Sequence, residues 1–158
     1  MRNIKLTIEY DGKEFNGWQK QPNKLNIQGT IEQAIKKITG EEVELNASGR
    51  TDAGVHAIGQ VANFKTNSQI PIEKFAIAIN SNLKKSIIIK KAEEVDERFH
   101  SRLTCKRKTY RYIINNFHIL CIILSLFCES YNNFSHNYSH NCCTNCGNPY
   151  RKYYFCGI

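Results

Sequence analysis

The chain has 158 residues, enough for one domain with its own hydrophobic core and too few for two of ordinary size. Its formal net charge of +8 and pI near 9.2 point toward a polyanionic partner. The N-terminus shows no apolar segment of the secretory type, and the longest apolar stretch, residues 119–127, is too short to span a bilayer. We therefore expect a soluble cytoplasmic protein with no membrane partner.

Alternating apolar and polar residues predict a first strand from Ile4 to Tyr10, with one face buried. Asp11-Gly12 supplies a turn after it. Apolar residues at helical spacing then predict a helix from Ile27 to Ile38, and Gly40 is placed to end it.

The next segments alternate in the same way. Short strands are expected over residues 43–46 and 60–66, and Pro71 suits the first turn of a helix that Ile72 to Ile79 continue. A β-branched strand covers residues 87–89, and a last one rich in Tyr and Ile covers residues 108–115. This order predicts an α+β domain whose sheet is covered by helices on one face.

The composition changes near residue 117. Residues 1–116 hold all but two of the Lys and Arg residues and all but one of the Asp and Glu residues. Residues 117–158 hold six of the seven cysteines, many Asn and Tyr residues, and no helical or strand periodicity. We therefore expect one domain over residues 1–116 and an irregular tail over residues 117–158.

Three interpretations of this tail remain open. His136-x3-His140 followed by Cys143-x2-Cys146 has ligand spacing like that of zinc sites, although only two residues separate the two pairs. A disulfide module would need an exported chain, which nothing in the sequence indicates. The third interpretation, which we favour, is translation of AT-rich DNA in a shifted frame.

The loop Gly49-Arg50-Thr51-Asp52-Ala53-Gly54-Val55-His56 is the strongest candidate for chemistry. Gly49 and Gly54 permit unusual backbone torsions and a close approach by a substrate. The spacing of Arg50 and Asp52 also fits a plain surface turn with an ion pair, so the loop alone does not decide between structure and catalysis.

Further motifs accompany this loop in a fixed order. They are Tyr10-Asp11-Gly12, Gly17-Trp18-Gln19, Gln28-Gly29-Thr30, Gln60-Val61, Phe99-His100-Ser101-Arg102, Lys106-Arg107-Lys108 and Tyr110-Arg111-Tyr112. Together they resemble the A-type (TruA-like) transfer-RNA pseudouridine synthases over residues 4–115. Ser101 departs from the family pattern, which usually has Ala there. The resemblance implies a mainly antiparallel sheet, the ferredoxin-like half of a pseudouridine synthase.

The resemblance also implies an activity and its catalytic residues. The family isomerises uridine to pseudouridine in the anticodon stem-loop of tRNA, at positions 38 to 40, with neither cofactor nor metal. Asp52 matches the essential aspartate, which acts as a nucleophile, or as a base and electrostatic partner in a glycal-type path. Arg50 matches the arginine that pairs with this aspartate and keeps it ionised. Tyr110 matches the tyrosine that stacks on the target base.

Other roles follow from charge and from simpler alternatives. Lys106, Arg107, Lys108 and Arg111 form a basic cluster expected to bind RNA phosphates. A second cluster of Lys84, Lys85, Lys90 and Lys91 fits a solvated face equally well. Without the resemblance, Tyr110 would be a core aromatic, His56 a structural hydrogen-bonding group within its loop, and His100 a residue that fixes a turn.

Family members continue past residue 116 into a second α/β half that completes the cleft and contributes to a homodimer. The tail does not resemble that half, so we expect a truncated copy with an unpaired sheet edge, an uncovered apolar face, doubtful dimerisation and little or no activity. The alternative function is a non-catalytic RNA-binding module with a small zinc-binding tail.

Overall fold

A computed structural model describes residues 1–114 and 150–157 of the chain, with side chains for residues 1–111. In chain order its elements are β1 (Arg2–Tyr10), a 3₁₀ turn (Gly12–Glu14), α1 (Ile27–Thr39), β2 (Asn46–Ala47), β3 (His56–Thr66), α2 (Ile72–Asn80), β4 (Ile87–Val95), β5 (Arg107–Ile114) and β6 (Tyr150–Gly157). Each strand and helix predicted over residues 1–114 is present, with shifted ends.

The sheet is mainly antiparallel, which confirms the predicted fold class. Strand β1 pairs antiparallel with β3 on one side and with β4 on the other, so that Leu6 lies opposite both Ala62 and Ala92. The strand order is β4-β1-β3-β6-β5, and the short β2 pairs with β3 outside this path. Strand β6 runs parallel to β3 and begins its pairing beside His56.

One face of the sheet packs against both helices and forms the hydrophobic core. The β1 residues Ile4, Leu6 and Ile8 are fully buried together with Ile31 and Ile35 of α1 and Phe75 and Ile79 of α2. Their spacing follows the two periods seen in the sequence, two along the strand and about 3.6 along the helices. The helices therefore lie on one face of the sheet, as predicted.

The opposite face of the described strands carries ion pairs. Lys5 and Lys91 lie 2.8 and 2.7 Å from the carboxylate of Glu93, and Lys90 lies 3.0 Å from Glu9. Hydrogen bonds from Lys5 and Lys91 lower the pKa of Glu93 below its usual value. The expectation of an uncovered apolar face is wrong for these strands, because alternation places the charged residues of β1 and β4 there.

Of two predicted boundaries, one moved and one did not. The strand expected over residues 43–46 is reduced to Asn46–Ala47, because the Leu45 amide donates to Glu32 Oε1 of α1, at 3.0 Å, instead of to a strand. Helix α1 ends as predicted, with Gly40 in the left-handed region at φ 75°.

The tail contains one described element. Strand β6 falls within the segment predicted to be irregular, and its backbone is extended from Tyr150 to Gly157. The candidate zinc ligands at residues 136, 140, 143 and 146 lie outside the described residues. Among the helices that the structure describes, none is long and apolar enough to cross a membrane.

Candidate active site and nucleic-acid interface

The loop that carries Asp52 joins β2 to β3, and its first residues are fixed to β3. The Ser48 amide donates to Val61 O at 2.8 Å. The fully buried Gln60 side chain donates to Gly49 O at 2.5 Å, and its Oε1 lies 3.0 Å from the Ser48 hydroxyl. Because Gln60 sits inside a strand, these bonds give the loop a rigid start.

The middle of the loop is fixed to the end of β1 and the segment after it. The Thr51 hydroxyl lies 2.8 Å from the buried Tyr10 hydroxyl, and the Trp18 amide donates to Thr51 O at 2.9 Å. Burial raises the pKa of Tyr10 above its usual range, so its phenol stays neutral. Thr51 therefore anchors the loop through both its side chain and its backbone.

Two glycines allow this close contact. A Cβ atom on Gly12 would lie 2.0 Å from Val55 O, and one on Gly17, whose φ is +84°, would lie 2.6 Å from Thr51 O. Only glycine fits at either place without moving the backbone. Of the two loop glycines singled out in the sequence, Gly54 adopts a positive φ of 76°, and Gly49 does not.

Asp52 itself faces solvent. Its carbonyl accepts from the Val55 amide at 3.2 Å, which closes a turn, and its side chain is exposed. Within residues 1–111, neither Asp52 nor Arg50, which is also exposed, forms an ion pair. The expected Arg50–Asp52 pair is therefore not formed in this structure, in keeping with the small gain from pairing two solvated charges.

A groove of about 420 Å³ opens next to this loop. Its cationic lining residues are Arg50, Arg102 and Lys108, and its aromatic ones are Trp18 and His100. Glu44 is the acidic residue among the described lining residues. The groove therefore carries excess positive charge where the Asp52 loop begins, although Asp52 is not among its described lining residues, and such a charge suits a polyanion.

The structure brings together only some of the predicted binding residues. Lys108 of β5 lines the groove with Arg50, whereas Arg107, Tyr110 and Arg111 are not among its described lining residues. Tyr110 is 58% exposed, which excludes a role as a core aromatic. Sequence reasoning did not assign Arg102 a role, although its position in the Phe99–Arg102 motif could have singled it out.

The two histidines have structural contacts. His56 Nδ1 lies 3.1 Å from Asp11 Oδ1. This partner belongs to the turn after β1, whereas the sequence predicted a partner within the loop that carries His56. His100 Nδ1 accepts hydrogen bonds from the Arg102 and Leu103 amides, at 3.2 and 3.4 Å. His100 therefore fixes a turn, as the simpler interpretation predicted.

The second lysine cluster divides in two. Lys90 and Lys91 are ion-paired on the sheet face described above, whereas Lys84 and Lys85 have no ion pair within the described part of the chain. No group of three or more His, Cys, Asp or Glu residues that could hold a metal ion occurs among the described residues.

Comparison with known proteins identifies relatives over this same part of the chain. A family model described as tRNA pseudouridine synthase matches residues 6–103. The tRNA pseudouridine synthase A of Caldicellulosiruptor saccharolyticus is 64% identical over 116 residues, which are 73% of this chain and 48% of that protein. Its namesake from Acetivibrio thermocellus is 57% identical, and the tRNA pseudouridine synthase A 2 of Clostridium perfringens 60%, with the same coverage. The chain thus spans about half the length of the curated relatives it matches.

Proposed function

Because this chain belongs to the tRNA pseudouridine synthase family, we propose that its Asp52 loop serves the isomerisation of uridine to pseudouridine in transfer RNA. The observation that carries the proposal is the presentation of Asp52. Its carboxylate is exposed at the tip of a loop whose neighbouring residue, Thr51, is buried and hydrogen-bonded on both side chain and backbone. A fixed backbone with an accessible carboxylate is what positioned catalysis requires.

The reaction breaks the bond between ribose C1′ and uracil N1 and forms one between C1′ and C5. The C5 proton must leave and N1 must gain one, so the atoms balance without a redox partner. Asp52 either attacks the ribose or base as a nucleophile, or stabilises the separated sugar and removes a proton. The structure is compatible with both paths.

Neighbouring side chains have complementary roles in the proposal. Arg50, two residues from Asp52, supplies positive charge to the nucleotide. The exposed ring of Tyr110 stacks on the displaced base, and Arg107, Lys108 and Arg111 bind phosphates without reading sequence. The substrates proposed are uridines 38 to 40 of the anticodon stem-loop in the cytoplasm, which must leave the helix to react.

We expect the 158-residue chain to isomerise tRNA slowly or not at all by itself. Asp52 and Arg50 are both exposed and unpaired within residues 1–111, whereas the chemistry needs a site that excludes water. Turnover by the purified chain that is lost in Asp52→Ala would contradict this expectation. Homodimer formation stays a prediction, which the mass of the purified chain in solution checks.

A chimera tests the function of the loop independently of that expectation. Residues 1–116 are joined to the remaining part of the Caldicellulosiruptor saccharolyticus relative, which is 64% identical over the shared residues. We expect the chimera to form pseudouridine at positions 38 to 40 and its Asp52→Ala variant to lose at least about a thousandfold in rate. A chimera that folds and binds tRNA without isomerising it, or an active Asp52→Ala variant, would refute the proposal and favour a non-catalytic RNA-binding module.

A further inference from the structure

The turn from Phe99 to Thr104 is fixed to the sheet by a buried polar network. Ser101 is 1% exposed, and its amide donates to Asn63 Oδ1 of β3 at 2.9 Å. Asn63 Nδ2 donates in turn to Asn3 Oδ1 of β1 at 2.9 Å, and Asn3 Nδ2 donates to Phe99 O. The Ser101 hydroxyl lies within hydrogen-bond distance of Asn46 O and Asn63 Oδ1, contacts that the Ala usual in this family could not make. A satisfied buried network of this kind holds the residues beside it in one position.

One ring nitrogen of His100 accepts hydrogen bonds within the turn, and the other can donate one to a ligand. Its Nδ1 accepts from the Arg102 and Leu103 amides, so the neutral ring carries its proton on Nε2. His100 lines the groove, and no partner of Nε2 is found among residues 1–111. The turn thus fixes the ring and leaves an N–H donor for a ligand.

Arg102 comes from the same turn and lines the same groove. It is exposed, and within the described residues it forms no ion pair, which also holds for Arg50 and Lys108. A ring N–H and a guanidinium carried on one rigid turn fit a ligand with several acceptor oxygens and negative charge. In an RNA substrate the group of that chemistry is a backbone phosphate.

We propose that His100 and Arg102 together bind one phosphate of the RNA backbone in the groove that Arg50 of the Asp52 loop also lines. This inference rests on the proposed function, since it takes RNA as the ligand. The pair fixes where the strand lies relative to Asp52, because the turn is anchored to β1 and β3 by Asn3 and Asn63.

The decisive variant is His100→Asn in the full 158-residue chain. An Asn side chain can accept from the two amides, as His100 Nδ1 does, but cannot reach the position of Nε2. We expect an unchanged melting temperature and an affinity for a synthetic RNA hairpin with uridines in its stem that is weaker by about tenfold or more, the loss expected for one hydrogen bond to a charged group. Wild-type affinity in this variant would show that His100 only fixes the turn, and would overturn the proposal.

Arg102→Gln provides a second test, because it changes a side chain and leaves the backbone amide that donates to His100. Its affinity should fall, and the slope of log K against log salt should decrease by about one. The matched control is Arg98→Gln, an exposed arginine nearby that does not line the described groove, which should leave both quantities unchanged. Equal behaviour of the two variants, or no binding of the hairpin by the wild type, would overturn the proposal.

Binding and turnover separate the two proposals. Binding that depends on His100 and Arg102, with no isomerisation by the folded chimera, would refute the function and leave the phosphate site standing. Isomerisation by a chimera whose RNA affinity is insensitive to both substitutions would refute only the phosphate site.

Discussion

The two sides of the Asp52 loop are built differently. On the inner side, Thr51 is buried and bonded to Tyr10 and to the backbone of Trp18. On the outer side, Arg50 and Asp52 are exposed and, within residues 1–111, form no ion pair. The difference shows how a short loop can be rigid and still present charged groups to a ligand, since a backbone fixed from below leaves the side chains above it accessible.

A substitution at Gly17 should have the largest effect on stability, because Gly17 packs against the inner side of the Asp52 loop. In Gly17→Ala the new Cβ atom would lie 2.6 Å from Thr51 O, at a φ of +84° that strains any L-residue. We expect a loss of about 2–3 kcal/mol in the free energy of unfolding, measured by urea denaturation. The control is Gly59→Ala, where a Cβ atom would meet nothing within 4 Å. Equal stability of the two variants would contradict a tightly packed inner side.

Removal of the Tyr10 hydroxyl, which also contacts the inner side of the loop, should lower stability by a smaller amount. Tyr10→Phe leaves the buried Thr51 hydroxyl without that partner, which should cost about 1–2 kcal/mol of unfolding free energy. Adding Thr51→Val should recover part of the loss, because the remaining hydroxyl is then removed as well. Additive losses in the double variant would show that the two hydroxyls are not coupled.

The same hydroxyl gives a pH dependence with a defined sign. Burial raises the pKa of Tyr10, so above about pH 10 the phenol ionises more readily in the unfolded chain than in the folded one. Stability should therefore fall as the pH rises past that value, and Tyr10→Phe should show a shallower fall in alkaline denaturation. A parallel fall in both proteins would contradict the burial of this phenol.

Substitutions that remove a positive charge test the outer side of the loop. Of the substitutions considered, they should have the smallest effect on stability. Lys108 lines the groove and has no ion pair among the described residues, whereas Lys91 is paired with Glu93 on the sheet face. We expect Lys108→Gln to weaken RNA binding three- to tenfold and to lower the salt slope by about one. Lys91→Gln should leave binding nearly unchanged and cost less than about 1 kcal/mol in stability. If the two variants bind RNA equally, net charge and not the groove governs affinity.

The sequence was sufficient for the elements of residues 1–114 and for the position of the loop, but not for strand β6. The alternation of β1 and the helical spacing of α1 identified the core residues, because each element buries one face. Gly40 marked the end of α1 because its left-handed backbone suits glycine. Strand alternation, helical spacing and a helix-ending glycine each depend on residues that are close in the chain, so the sequence pattern predicts them.

Contacts between distant residues were not predictable in this way. The His56 ring pairs with Asp11, and the Leu45 amide bonds to Glu32, although both partners are far away in the chain. Conversely, Arg50 and Asp52 are close in sequence and do not pair within residues 1–111. The groove likewise joins Arg50, Arg102 and Lys108 from three segments, and only the packing of the turn on the sheet brings them together.

The most direct test of the account is pseudouridine formation by the chimera carrying Asp52→Asn. This change keeps the shape of the side chain and removes its charge, while Thr51, Tyr10 and Trp18 still hold the loop. We expect tRNA affinity and melting temperature close to those of the unmodified chimera, and no pseudouridine at positions 38 to 40. Pseudouridine formation at an undiminished rate would contradict the assignment of Asp52 as the working carboxylate.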